Sequence, residues 1–197
     1  MRFEPPGSHG LPRASVSAPL ERALVWLPAA AVVVVAMEVW AGFVHQRVWH
    51  AALWPTHRSH HQKRRGALEF NDALSISHAP VAIALLLYGC RAAPSLAREM
   101  VFGCGLGMSV FGFAYLVVHD GLVHRRFPAQ GLLRIPILGS YLAAVVQAHR
   151  IHHAGRAHAV PFRFFLGPWE RDVLRQTLRH RNATRSRLAP HSSGREP

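Results

Sequence analysis

The stretch GLLRIPILGSYLAAVVQA, residues 131–148, decides the architecture. It separates His124 from His149 by 24 residues, with further histidines on both sides. One α-helical crossing of the hydrocarbon needs about 20 residues and two need about 40. The stretch is only moderately apolar and is interrupted by Arg134, Pro136 and Gly139. If the flanking histidines are to meet, it can make no complete crossing, because a single crossing would put them on opposite faces of the bilayer. The expected form is a re-entrant or interfacial helix.

Three longer apolar runs, residues 23–44, 73–90 and 101–118, each approach membrane-spanning length. Arg91, Pro94 and Arg98 mark a short turn, so the second and third runs form a helical hairpin. The expected fold class is therefore all-α: an integral membrane protein with three full transmembrane helices, a re-entrant or interfacial helix and a cytosolic histidine-rich helical cap. A chain of 197 residues suits one domain. We expect a polar, disordered leader over 1–22, a membrane domain over 23–170, and a basic, disordered tail over 171–197. Within that tail region, residues 169–181 could form a surface helix.

The formal charge of +13 does not point to nucleic acid, because the basic residues flank apolar spans or crowd the final 27 residues. Anionic lipid headgroups are their natural partner. Cys90 and Cys104 lie in apolar stretches without metal or redox spacing and read as buried fillers. The histidine-side loops carry Arg47, Arg58, Lys63, Arg64, Arg65, Arg125 and Arg126, which places the histidines on the cytoplasmic side.

Ten of the fifteen histidines fall into four clusters where apolar runs stop: His45 and His50; His57, His60 and His61; His119 and His124; His149, His152 and His153. In each HxxHH triplet, helical spacing brings positions i, i+3 and i+4 near one face. In each HxxxxH pair, a separation of five turns the rings about 140° apart on an ideal helix. One member of each pair must therefore sit at a helix end or past a distortion. Neutral imidazole is the commonest metal ligand, and ten rings suit a two-metal cage better than a three- or four-ligand zinc site. Imidazole alone does not choose the metal. A site beside hydrocarbon implies an apolar substrate, and oxygen insertion into unactivated carbon requires iron rather than zinc.

Carboxylates near the clusters are few: Glu38, Glu69, Asp72 and Asp120. Asp72 and Asp120 are candidates to support ligating histidines, although Asp72 could equally cap a helix. Glu38, inside an apolar run, could pair with Arg47 or a histidine, or snorkel to the interface. His78 and His158 are candidates for supporting positions, whereas His9, His180 and His191 read as surface residues.

Read together, Met37-Glu38-Val39-Trp40, His45, His50, the residue 57–61 motif, Asn71-Asp72, the segment VHDGLVHRRFP (118–128) and AHRIHH (148–153) resemble the β-carotene 3-hydroxylases of the membrane fatty-acid-hydroxylase superfamily. The resemblance covers roughly 37–169. It implies a non-haem di-iron monooxygenase that hydroxylates C3 of β-ionone rings, taking β-carotene through β-cryptoxanthin to zeaxanthin. It also implies two iron ions, O₂ as co-substrate and a ferredoxin or similar electron donor. The ten clustered histidines occupy the motif positions, with their division between two irons open. The segment AVPFRFFLGP (159–168) looks more like the plant and algal version than the Glu-Gly-Cys ending of many bacterial members. The leader is short for a transit peptide, so we expect a bacterial cytoplasmic membrane, with a plastid membrane as the alternative. Two rivals stand beside this reading. One is a related lipid hydroxylase, desaturase or carotenoid ketolase. The other is a metal or haem transporter, which would more usually place its site near the midplane.

Overall fold

Helix α1 (Ser17–Val44) begins six residues before the apolar run starts and continues without a break into a π-helical segment, His45–Ala52. The chain then makes a short helix α2 (Trp54–His57) and a 3₁₀ turn, Arg58–His61. Helices α3 (Phe70–Ile76) and α4 (Ala79–Arg91) follow as two pieces of one span, broken at Ser77–His78 just before Pro80. Helix α5 (Leu96–Tyr115) continues into a second π-helical segment, Leu116–Val123. A 3₁₀ turn (Gln130–Arg134), α6 (Leu138–Ala154) and α7 (Gly167–Leu188) complete the chain. The computed structural model describes residues 17–62, 66, 68–154 and 160–188. Residues 1–16 of the leader, residues 189–197 of the tail, His9, His158, His191 and the Lys63, Arg64, Arg65 run lie outside the described residues.

Among the described residues, three helical stretches are long and apolar enough to cross a membrane: Pro19–Ala52, Phe70–Arg91 and Leu96–Val123. The chain is a membrane protein. Leu24 and Val32 on α1 are 68% and 69% exposed, and Phe113 on α5 is 68% exposed. Such a surface is an aggregation liability in water and the required one in hydrocarbon. Helix α6 is not among the spans. It packs instead against the second π segment, where Val118, Leu122, Leu142, Val145, Val146 and Phe164 form a buried apolar cluster. The region 131–148 is thus part 3₁₀ turn and part α6.

Helix α5 is the hub of the spans, and its glycines set how closely the others approach. Gly103 and Gly107, one turn apart, face α1: a Cβ at Gly107 would lie 2.6 Å from the Ala30 carbonyl oxygen, and one at Gly103 2.9 Å from that of Trp26. Small residues at this spacing let helix backbones meet in a membrane, where hydrophobic burial does not drive association. The far end of the bundle is pinned by polar contacts. Glu99 accepts hydrogen bonds from Arg22 (3.1 Å) and Trp26 (2.6 Å) on α1 and is paired with Arg98. Ser95 caps α5 by accepting from the Arg98 amide.

The surface helix expected over 169–181 runs from Gly167 to Leu188. Residues 182–188, expected to be disordered, are helical, as are residues 17–22 of the expected leader. In α7 the regular i, i+4 placement of Arg171, Arg175 and Arg179 opposite Trp169 and Val173 gives an amphipathic helix, which composition alone understated.

Candidate metal centre

The two π-helical segments resolve the five-residue spacing. In π winding the backbone closes i→i+5 hydrogen bonds, and here the Leu53 amide donates to Val48 (2.9 Å) and the His124 amide to His119 (3.0 Å). Each extra residue per turn brings His45 and His50, or His119 and His124, back to one face. The expected distortion is therefore a winding change that carries both members of each pair.

The structure brings all ten clustered histidines together from five separate segments. Two sets have donor nitrogens within 4.8 Å of one another: His45, His50, His57, His61 and His152; and His60, His124, His149 and His153. His119 adjoins the second set, its Nε2 lying 3.1 Å from that of His60. The two sets are built alike. Each takes one HxxxxH pair, the outer two histidines of one HxxHH triplet, and the middle histidine of the other triplet. Consecutive helical residues diverge by about 100°, so His60 and His61, or His152 and His153, cannot aim at one point.

Ring orientation tests whether these residues suit a cation. The Nδ1–H of His45 donates to the Phe162 carbonyl (2.8 Å) and that of His57 to Asn71 Oδ1 (2.7 Å). His119 Nδ1 meets Asp120 Oδ1 at 2.7 Å and His60 Nδ1 meets Glu69 Oε2 at 3.4 Å. A neutral ring that donates from Nδ1 carries a lone pair on Nε2. Yet His45 and His57 oppose their Nε2 atoms at 3.1 Å, as do His119 and His60. Two lone pairs at that separation repel unless a cation lies between them, so the donor set fits a metal. Burial drives His57 down to about 4 and His61 down to about 3, and pushes His60 and His149 well below the usual imidazole range. These rings are neutral near pH 7, the form that binds metal.

Arg126 organises the acidic surround. Its guanidinium lies 2.7 Å from Asp72, 3.1 Å from Glu69 and 3.6 Å from Asp120. Asp72 takes both roles that sequence allowed it in altered form: it is the N3 member of a capping box with Glu69, and Arg126 links it to Glu69 and Asp120, the carboxylates that meet His60 and His119. Asp120 contacts His119 directly. Glu38 meets neither Arg47 nor a histidine; it is buried, and its Oε1 accepts from the Leu166 amide at 2.7 Å. His78 lies at the break before α4, accepting from Trp40 Nε1 (3.0 Å), and His180 is exposed on α7. Sequence reasoning assigned Asn71 no role at the site, Arg126 only a part in the basic loops, and the Phe162 carbonyl none. The first two lie in recognisable motif stretches, whereas a backbone carbonyl leaves no residue-type signal. Replacing Arg126 by Gln leaves three carboxylates without their shared cation. Metal affinity is expected to fall by about 10–100-fold, the range for partners that orient ligands, as elemental analysis would report.

Aromatic rings enclose the histidines. Trp49 lies against His45 and His57, Trp54 against His50 and His61, and Tyr115 stacks on His119 with ring centroids 4.5 Å apart. From the inner side of this cluster an apolar cavity of about 590 Å³ extends between α1, α4 and α5. His45, His57, His60, His119 and His149 form its floor, and Met37, Ala41, Ile83, Met108, Phe111 and Phe113 line its walls.

The chain matches the fatty acid hydroxylase family over residues 30–177. It is 46% identical over 136 residues to Beta-carotene 3-hydroxylase 2, chloroplastic, of Arabidopsis thaliana, covering 69% of this chain and 43% of the relative. It is 48% identical over 136 residues to Beta-carotene hydroxylase 2, chloroplastic, of Capsicum annuum, covering 69% and 42%. With the Beta-carotene hydroxylase of Pantoea ananas it shares 38% identity over 167 residues, covering 84% of this chain and 90% of the relative. The chain thus spans about two fifths of the plant relatives' length and most of the bacterial one. No solved structure matches significantly.

Proposed function

This chain belongs to the fatty acid hydroxylase family, and from that premise we propose that it is a di-iron monooxygenase hydroxylating C3 of the β-ionone rings of carotenoids. β-Carotene would pass through β-cryptoxanthin to zeaxanthin, with O₂ and two external electrons consumed per hydroxylation. A ferredoxin or similar protein would supply the electrons. The observation that carries this reading is the junction of a paired histidine centre with a cavity whose walls are mostly apolar. The volume lies within the roughly 300–1,000 Å³ typical of small-molecule sites. Of its polar lining residues, Ser109 spends its hydroxyl on the Gly105 carbonyl (2.8 Å), and Asp72 and Asp120 are paired with Arg126 beside the histidines. The walls therefore offer an apolar ring shape and dispersion contacts, and almost no hydrogen bonds.

In this reading His45, His50, His57, His61 and His152 hold one iron, and His60, His119, His124, His149 and His153 the other. Iron bound there would supply reactivity toward O₂ that no side chain of the protein possesses. The protein's own part is positional. Asp120, Glu69, Asn71 and the Phe162 carbonyl hold four rings with Nε2 inward. Trp49, Trp54, Tyr115, Phe162 and Phe164 keep bulk water from the centre. The cavity admits one end ring, with the polyene continuing among the lipid tails. We place the histidine end on the cytoplasmic face of a bacterial membrane, from the basic residues Arg47, Arg58, Arg125 and Arg126 near it.

Iron analysis of the purified protein, coupled to product identification after incubation with β-carotene, O₂ and a reducing system, tests the proposal. Two irons per chain and a 3-hydroxy product are expected. A ring ketone or an altered acyl chain would replace this reading by a related oxidation, and metal uptake without any lipid oxidation would replace it by transport. Ile83→Trp narrows the cavity from α4, an element that carries no clustered histidine. Carotenoid turnover is expected to fall at least about tenfold, the factor that a loss of about 1.4 kcal/mol in binding the ring produces, while iron content stays at the wild-type level.

A further inference from the structure

One face of α1 holds the loop 160–166 at three points spaced by helical turns. His45 Nδ1 donates to the Phe162 carbonyl, and Glu38, two turns earlier on the same face, accepts from the Leu166 amide. Between them Gly42 leaves room for Arg163, whose Cγ would lie 2.8 Å from an added Cβ. The loop in turn touches both histidine sets. The Phe162 ring packs against His45, His50 and His152, and the Phe164 ring against His119 and His149. A carboxylate inside an apolar span is costly. Glu38 is 5% exposed, and its Oε2 has no hydrogen-bond partner among the described residues. Simple snorkelling would have taken this group outward to water instead.

We propose that Glu38 is a positioning residue for the paired metal centre: it latches the 162–166 loop onto α1, and through that loop sets the ring orientation of His45 and the packing of both sets. The assignment rests on the di-iron reading above. Two further ties hold the same loop from other elements. Tyr141 on α6 donates to the Phe165 carbonyl (2.7 Å), and Glu170 on α7 accepts from the Phe162 and Arg163 amides (3.0 and 2.9 Å). Glu38 is the tie made from the span that also carries His45 and His50.

The test is iron retention by the full-length protein in detergent against graded chelator, alongside turnover. Glu38→Met keeps the side-chain length and suits a hydrocarbon span, so insertion is preserved, but it cannot accept the Leu166 hydrogen bond. Its iron affinity is expected to fall about 10–100-fold, as for other partners that orient ligands. Glu38→Gln retains an accepting oxygen and is expected to restore iron affinity to within a few-fold of wild type, which a requirement for mere charge or packing would not produce. Wild-type iron affinity in Glu38→Met overturns the proposal, as does a Glu38→Gln variant equally impaired. If Glu38→Met does not fold, Gly42→Ala decides: its Cβ presses on Arg163 from the same face of α1 and displaces the loop with Glu38 in place, and unchanged iron affinity there overturns the latch. Absence of iron from the wild-type protein would instead sink the di-iron reading itself.

Discussion

Alanine at His152 is expected to deplete the metal set built by His45, His50, His57 and His61, and alanine at His60 the set built by His124, His149 and His153. Each substitution thus strikes the set that lies mainly outside its own motif. The reason is angular. His152 and His153 are neighbours in α6 and point about 100° apart. His152 therefore faces His50, with Nε2 atoms 3.1 Å apart, while His153 faces His149 at 2.9 Å. Turnover should fall by more than about a hundredfold in either variant, exceeding the usual 10–100-fold loss for a supporting partner. About half the iron should remain. Both side chains are buried at the end of the spans rather than within them, so membrane insertion should be unaffected. The check is iron per chain together with carotenoid product. Full activity in both variants would contradict the ligand assignment.

Valine at Gly107 should abolish the folded protein rather than the chemistry. A Cβ there would lie 2.6 Å from the Ala30 carbonyl oxygen, 2.8 Å from Val33 Cβ and 3.0 Å from Ala30 Cα. Two of those three atoms belong to backbone, so relief requires α1 and α5 to separate. Overpacking in a core usually costs about 1–3 kcal/mol; a helix-backbone clash should exceed that, by our estimate about 4 kcal/mol. The consequence reaches the metal centre, because α1 continues into His45 and His50 while α5 continues into His119 and His124. Parting these helices pulls the two sets apart. Gly112→Ala is the control, since a Cβ at that position has no neighbour within 4 Å. Thermal unfolding in detergent should show a large loss for Gly107→Val and almost none for Gly112→Ala.

Much of the fold was legible because its signals are long or repeated. Three apolar runs of near-bilayer length announced three spans, and the 24 residues before His149 could not cross twice. The histidine motifs announced that the ten rings would gather at one place, as they do. Their spacing of five also announced a distortion, but a single-sequence pattern could not say that the distortion was π winding, since that is settled by which carbonyl each amide reaches. Glu38 shows the opposite case. Its place in an apolar run marked it as a costly group, to be paired with Arg47 or a histidine or to snorkel to the interface, yet its partner is an amide 128 residues away.

By itself, then, the order of residues determined the number of spans, the place of the turns and the ten imidazoles at one membrane boundary, because hydrophobic length and helical period are local properties of the chain. Only the tertiary structure decided how those imidazoles divide into two sets, that each triplet serves both, and which groups turn Nε2 inward. Those outcomes depend on the contact of α1 with α5 and on a loop carbonyl meeting His45, distances that close only when segments far apart in the chain, 117 residues in the second case, are packed together.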